Sequence, residues 1–401
     1  MTGYFVNSVD LGTGSLTSAG MGDIFVAHYR SDGTPQWSKR IGSTGDDRGK
    51  AIAVDGSGNV YVTGFFRGTV DFGGGPVSSA TNATNAFLVK YSSGGAHLWS
   101  KRLSTASGLD DGTSLAADGS GNVIVGGTLY QTSDFGGGPL TSAGGGDIYL
   151  VKLTPAGAHV WSRRMGSTAD DWVNGVAVDG QGNVTATGYF NGSVNFGGAT
   201  LTSAGGKDIY LAQYSSAGAH LWSRQFGGAA DDIARSVAVD GSGNIVITGN
   251  FASSTVDFGG GALANSAGAD IFLAKYTSSG SHLWSKRFGG GLSLAENGTA
   301  VATDGPGNIL LTGSVVDTID FGGGPLAGDG YYDIFVAKFA ATGTHVWSKR
   351  TGNGSGDDVA ADPAGNVILS GDFTGTTPVN FGGGTLSSPG GTDAFLVKFG
   401  P

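Results

Sequence analysis

Four kinds of residue recur in this chain at spacings that could do chemistry. Paired aspartates stand at Asp46-Asp47, Asp110-Asp111, Asp170-Asp171, Asp231-Asp232 and Asp357-Asp358, and two carboxylates in one cleft can act as general acid and base, as in glycoside hydrolysis. Five of the six histidines, His97, His159, His220, His282 and His345, lie two residues before a tryptophan. A converging ring of such imidazoles would bind a metal ion. The turns Asp55-Gly56-Ser57-Gly58-Asn59, 118–122, 179–183, 240–244 and 304–308 place Asp first and Asn fifth, the opening spacing of a calcium loop. Basic pairs follow the tryptophans at Lys39-Arg40, Lys101-Arg102, Arg163-Arg164, Lys286-Arg287 and Lys349-Arg350, reduced to Arg224-Gln225 in one copy.

Repetition argues against each of these chemistries. Catalysis needs one differentiated site whose acids have unequal pKa values, and equivalent copies offer no such asymmetry. Histidines in successive copies are too far apart to meet at one ion. In a strand, positions i and i+2 share a face, so each His and Trp read as a packing pair; Pro35 replaces the His in the first copy. The calcium-like turn lacks a distal bidentate Glu, carries Gln181 or Pro306 where Ser57 stands, and is already a sufficient hairpin turn. The acid pairs read as loop caps, with the nearby Lys and Arg as solvated counter-charges of small energetic worth. The sequence therefore gives no catalytic residue, no metal ligand and no cofactor site, and leaves the ligand-binding residues unknown.

Asp-Phe-Gly at Asp71, Asp134, Asp257 and Asp320 imitates a kinase motif without the rest of a kinase and reads as a structural part of each copy. Asn-x-Ser/Thr sequences such as Asn82-Ala83-Thr84 and Asn297-Gly298-Thr299 are short enough to arise by chance. Differences between copies are the place for a unique site, because binding residues concentrate on loops held by a rigid scaffold. They include Ala295-Glu296-Asn297 in place of an acid pair, the segments Thr81–Asn85, Gly205-Gly206-Lys207 and Gly328–Tyr332, and Trp172, outside the tryptophan series. Scattered substitution under weak constraint would look the same.

The elements that must hold these residues follow from the period. Trp37, Trp99, Trp161, Trp222, Trp284 and Trp347 are separated by 62, 62, 61, 62 and 63 residues, so one supersecondary unit is stacked on its own copies. Each copy has an alternating run a (Val176–Asp179), the Asp-Gly-x-Gly-Asn turn, a run b (Val60–Phe66), a long loop on Phe-Gly-Gly, a run c (Asp147–Lys152) and a run d with the tryptophan (His97–Arg102). Runs of four to eight β-branched or aromatic residues bounded by Gly, Asn, Asp or Ser are strand signals. No segment has a capped helical period.

Composition agrees. Glycine supplies 77 of 401 residues, proline 10 and cysteine none, which excludes collagen, disulfides and thiolate chemistry. Of the 32 acids only Glu296 is glutamate, and the net charge is −10, which fits turn chemistry and argues against a nucleic-acid partner. No apolar window is long enough to insert in a membrane, and residues 1–5 lack the pattern of a signal peptide, so a soluble chain is expected.

Four antiparallel strands repeated radially make a β-propeller. The run Asp231-Asp232-x4-Val237–Gly249 resembles the bacterial beta-propeller repeat (SBBP) family and, more distantly, NHL-repeat propellers. The resemblance covers nearly the whole chain and implies an all-β propeller of four-stranded antiparallel blades in one domain, 1–401, closed between its terminal partial repeats. Run c occurs seven times against six for a and d, which favours seven blades, with six the alternative. The resemblance also implies a non-catalytic binding or scaffold module of a secreted or surface-attached bacterial protein, with a protein or glycan partner. The alternative is a multivalent carbohydrate-binding propeller, in which Phe66, Tyr130 and Phe190 would stack on sugars.

Overall fold

The repeated turns are built as their residue types dictate. The Asp55 carboxylate accepts the amides of Ser57 and Asn59 at 3.0 and 2.9 Å, and the Asp55 amide donates to the Asn59 carbonyl. Strand a, Arg48–Val54, is thereby folded back on strand b, Val60–Phe66. A second turn, closed by Ser92 N–H to Ala96 O with Gly95 at φ 83°, joins strand c, Asn85–Tyr91, to strand d, His97–Arg102. The register shifts at Gly49/Ala51 in strand a. The bulge aims the Arg48 carbonyl at the place where a side chain on Gly64 would stand, so strand b needs glycine there.

The computed structural model describes residues 1–80, 83–104, 108–291, 295–328, 330–375, 378–388 and 391–401. The chain divides into two compact units, one of residues 1–186, 192–200 and 213–221, the other of 187–191, 201–212 and 222–401. The first unit holds a three-stranded sheet (Thr2–Phe5, Asp23–Tyr29, Pro35–Ile41), the sheet just described, and the sheet of Asp111–Ala117, Val123–Leu129, Asp147–Leu153 and His159–Met165. The second holds the sheet of Asp232–Val239, Ile245–Phe251, Asp270–Tyr276 and His282–Phe288. Its other large sheet has six strands, Asn297–Thr303, Ile309–Val315, Asp333–Phe339, His345–Ala361, Val367–Thr374 and Thr392–Phe399. Neighbouring strands are antiparallel throughout these sheets.

The expectation of seven blades is corrected here. With Trp172–Val178, Val184–Phe190, Asp208–Tyr214 and His220–Phe226, whose residues both units share, there are six large sheets among the described residues. The cause is local. His345–Ala361 runs unbroken through Thr351-Gly352-Asn353-Gly354-Ser355-Gly356, serving as strand d to Asp333–Phe339 and as strand a to Val367–Thr374. The last two repeats are thus fused into one sheet.

The core lies between the faces of successive sheets. In the first unit Ile24 and Val26 pack with Val60, Val62, Phe87 and Val89; in the second Ile271 and Leu273 pack with Ile309, Leu311 and Phe335. Strands covered on both faces are near-continuous apolar runs, and each such buried side chain contributes about 1.5–3 kcal/mol. A larger departure from the sequence reading is the b–c loop, which is a second small hairpin. Thr69–Asp71 pairs with Pro76–Ser78 and Thr255–Asp257 with Ala262–Ala264.

One packing defect gives a prediction. Ile41, Leu103, Met165, Phe226 and Phe288 close strand d in five repeats and are buried, but Thr351 stands there in the sixth, beside a 340 Å³ cavity lined by Phe381, Leu369 and Phe399. Thr351→Ile would cover part of its apolar lining, at the loss of the bond from Thr351 Oγ1 to Asn380 O. Cavity filling commonly adds about 0.5–2 kcal/mol, so the thermal midpoint should rise; an unchanged or lowered midpoint would show that the space is not a packing void.

Candidate functional site

Most of the repeated polar side chains among the described residues meet a definite partner. Tryptophans reach forward. The indole N–H of Trp37 donates to Ser93 O at 2.9 Å, Trp99 to Pro155 O at 3.0 Å, Trp161 to Ser216 O at 3.1 Å, Trp222 to Ser278 O at 3.1 Å and Trp284 to Ala341 O at 3.3 Å. Every acceptor lies in the c–d turn of the next repeat, so the tryptophan is a latch between copies. The histidines look inward. The ring of His97 lies over Gly73 and Gly74, His282 over Gly259 and Gly260, and His345 over Gly322 and Gly323, where a Cβ on the second glycine would overlap the imidazole. His159, His282 and His345 each share Nε2 with the serine three residues on, at 3.0 to 3.2 Å. Each histidine therefore roofs its own small hairpin, and in the first copy Pro35 covers Gly12 instead.

The aspartates of the Asp-Gly-x-Gly-Asn turns are met by a lysine from strand c, which the sequence reading did not connect with them. Lys90 Nζ lies 3.2 Å from Asp55, Lys152 2.9 Å from Asp118, Lys275 2.9 Å from Asp240 and Lys338 3.2 Å from Asp304, all with both side chains at most 7% exposed. In each turn the ammonium meets the aspartate's Oδ2. Burial pushes the Asp240 carboxyl up, but its bonds to Asn244 and Lys275 outweigh that and leave it below the usual carboxylate value. The same lysines donate onward to the next repeat, Lys90 to Pro155 O and Lys275 to Ala341 O. The signal was positional: Lys90, Lys152, Lys275 and Lys338 each stand one residue before the last position of strand c.

The acid pairs cap loops, as their residue type suggested. Asp47 accepts the amides of Ser43 and Arg67 at 2.6 and 2.8 Å, and Asp232 accepts those of Gly228, Ala252 and Ser253. Glu296 does the same work, taking the Gly290 amide on both oxygens. The basic pairs are another matter. Arg40, Arg164, Arg287 and Arg350 pair with Asp23, Asp147, Asp270 and Asp333, the buried first residues of strand c, so the acid pairs are not their main counter-charges. Where the chain has Arg224-Gln225, Gln225 bonds the backbone of Thr202, and burial pushes Asp208 up to about 6.

These raised acids set a pH dependence. Burial, aided by Asp270 and Asp317, pushes Glu296 up to about 7, and burial holds Asp111 and Asp357 near about 6. Native pKa values above the unfolded ones mean that the native state binds more protons between about pH 4 and pH 7, so stability falls as pH rises through that window. The lowered Asp55, Asp118 and Asp240 act oppositely, losing their contribution as pH falls below the ordinary 3.8. Thermal midpoints should therefore peak at about pH 4, where the two trends meet, and Glu296→Gln should flatten the decline toward pH 7. A midpoint that climbs from pH 5 to 7 would contradict this sign.

Other singled-out residues fall as follows. Phe66 and Phe190 are fully buried and Tyr130 is half-buried, so the two phenylalanines cannot stack on a sugar. Asp71, Asp257 and Asp320 close the small hairpins, each accepting two glycine amides. Trp172 begins strand a of its repeat and belongs to no loop. Thr81, Asn82 and Asp329 lie outside the described residues, while Tyr331 and Tyr332 are exposed at 64% and 46%. Within the second unit, a 710 Å³ groove separates two repeats, with Lys275 and Asp240 at its base, Leu283 and Trp284 on one wall and Pro306 on the other.

Successive antiparallel four-stranded sheets of one repeated sequence, latched copy to copy, define the β-propeller class. The family model for the beta-propeller repeat, SBBP, matches residues 36–64 and 221–250, and the chain carries repeats of that family. It is similar to an uncharacterized WD repeat-containing protein, L264, of Acanthamoeba polyphaga mimivirus, at 25% identity over 464 residues, 94% of this chain and 33% of that protein. It is also similar to the regulatory protein FlaEY of Caulobacter vibrioides, at 25% identity over 403 residues, 92% of this chain and 40% of that protein. The chain thus spans a third to two fifths of the length of these relatives. The WD40 β-propeller domain of Doa1 aligns with a TM-score of 0.42 at 13% identity, covering 91% of this chain and 88% of that one.

Proposed function

We propose that the chain is a non-catalytic binding or scaffold module that engages a protein partner, as part of a secreted or surface-attached bacterial protein. One observation carries the reading: the repeated histidines are packed over their own small hairpins, and the repeated tryptophans and strand-c lysines donate to the next repeat. A framework so committed offers rigid loops and sheet edges, which suit recognition. Its relatives' WD-repeat description supports a protein partner. A second reading, glycan binding, is favoured by the groove that sets the Trp284 and Leu283 side chains beside a buried carboxylate and ammonium.

A glycan array with the purified chain separates the two. Silence across the array is the expected result; binding to one glycan class, lost in Leu283→Ala at the groove wall and repeated at several sites per chain, would establish the lectin. Turnover of a glycoside or ester panel that disappears with one acid pair and survives loss of the others would overturn the non-catalytic reading. Fractionation of a producing bacterium should find the protein outside the cytoplasm; a purely cytoplasmic pool would refute that placement.

A further inference from the structure

The phenol of Tyr61 fills a space that other repeats leave to smaller side chains. On strand b, Tyr61, Ile124, Val246 and Leu310 stand opposite the strand-c lysine of their repeats, Lys90, Lys152, Lys275 and Lys338, and Val246 is the smallest of the four. The Tyr61 hydroxyl donates at 3.0 Å to Gly121 O, in the Asp-Gly-x-Gly-Asn turn of the next repeat, and lies 3.5 Å from the Asp55 carboxylate. Its ring centroid is 4.7 Å from the Lys90 ammonium and 6.0 Å, edge-on, from the Trp99 indole. Both are favourable placements for an aromatic ring.

Around Val246 the same four partners stand without the ring. The valine is buried in the core of the second unit, and its side chain ends at Cγ, where the ring of a tyrosine begins. Asp240 and Lys275 take the places of Asp55 and Lys90, Trp284 that of Trp99, and Gly307 that of Gly121. All four line the 710 Å³ groove between these two repeats. Among the described residues no donor reaches Gly307 O, the counterpart of the carbonyl that Tyr61 occupies. The groove therefore offers an acceptor, an ammonium and an indole to a phenol that this repeat does not supply.

We infer that this groove takes the side chain of a tyrosine belonging to another polypeptide, its hydroxyl donating to Gly307 O and its ring lying beside Lys275 and Trp284. Tyrosine is a frequent anchor of protein interfaces because it joins a large rigid ring to one polar handle. The groove's 710 Å³ is in the range of sites for whole ligands, about 300–1,000 Å³. Residues flanking the tyrosine thus have room against Leu283, 47% exposed, and Pro306. The inference names the anchor of the protein partner proposed above and rests on that reading. Its failure would leave the module without this anchor, while turnover in the substrate panel would overturn the module itself.

The test is an NMR titration of the isotope-labelled full 401-residue chain with the peptide acetyl-Gly-Ser-Tyr-Ser-Gly-amide, its phenylalanine analogue and p-cresol. Saturable shifts of the Gly307 amide and the Trp284 indole N–H are expected, with the phenylalanine peptide bound at least about tenfold more weakly because it leaves Gly307 O unmet. Val246→Tyr rebuilds the arrangement of Tyr61, so the thermal midpoint should hold or rise while peptide binding is lost. Leu283→Ala, on the exposed wall, should weaken peptide binding about threefold at an unchanged midpoint, and it carries the test if the buried tyrosine does not fold. No saturable binding, equal binding of the phenylalanine peptide, or full affinity in either folded variant would overturn the proposal. So would p-cresol binding more tightly than the peptide, which would make a free phenolic compound the occupant, or a glycan bound where the peptide is not and lost in Leu283→Ala.

Discussion

Lys275→Ala should destabilise the second unit by about 3–5 kcal/mol, the cost of stripping one partner from a buried ion pair. The reasoning starts from exposure: Lys275 and Asp240 are 3% and 5% exposed at 2.9 Å, so water cannot replace the missing ammonium. The lost group also leaves Ala341 O without its lysine donor. Asp240 would respond by taking up a proton, because its carboxyl is held low by Asn244 and Lys275 against the pull of burial. The variant should therefore recover part of its deficit as pH is lowered toward 4. Lys275→Gln should cost less, since Gln213 occupies the equivalent position in another copy and still donates, to Thr185. Urea unfolding of the three proteins at pH 7 and pH 4.5 measures this. Equal stability of Lys275→Ala and the parent at pH 7 would mean that the pair is solvated and contributes little.

Trp284→Ala should be nearly as damaging. A fully buried aromatic truncated to alanine costs about 3–5 kcal/mol, and a half-buried one about 2–3. The indole packs against the core between two repeats and its N–H reaches Ala341 O. Trp284→Phe keeps most of the ring and loses only the donor, for about 1 kcal/mol. The difference between the two variants apportions the latch between packing and hydrogen bonding. The exposed neighbour Leu283, 47% exposed, provides the control, because Leu283→Ala should lie within about 0.5 kcal/mol of the parent. A loss at Leu283 as large as at Trp284 would show that the outer face of strand d is covered in the folded protein.

Much of this was legible in the residues. The 62-residue spacing marked one repeated unit, and its turn and strand signals gave the order of the four runs; the reading of His and Trp as a packing pair is corrected, because the histidine packs over its own small hairpin and the tryptophan reaches the next repeat. What the tryptophan touches was less legible. Its acceptor lies 55 to 57 residues onward, and no local pattern announces a contact to the following copy. The Asp–Lys pairs were hidden for the same reason: Asp240 and Lys275 are joined only when strand c lies beside strand b. Lys and Arg beside the tryptophan drew attention because they are adjacent in sequence, yet Arg287 pairs with Asp270 across the c–d ladder. The fused sheet turned on a glycine-rich connector, Thr351–Gly356, whose extended path is set by pairing with Val367–Thr374 on one side and Asp333–Phe339 on the other.

The account stands or falls on whether the repeated charges and rings tie each copy to the next. Amide hydrogen exchange of Lys275→Ala, followed residue by residue, tests this directly. Faster exchange is predicted both in the turn Asp240–Asn244, where the Asn244 amide bonds Asp240, and in the following repeat's turn, where the Gly343 amide bonds Ala340 O. Loss of protection confined to the first turn, with Gly343 as slow as in the parent, would contradict the coupling.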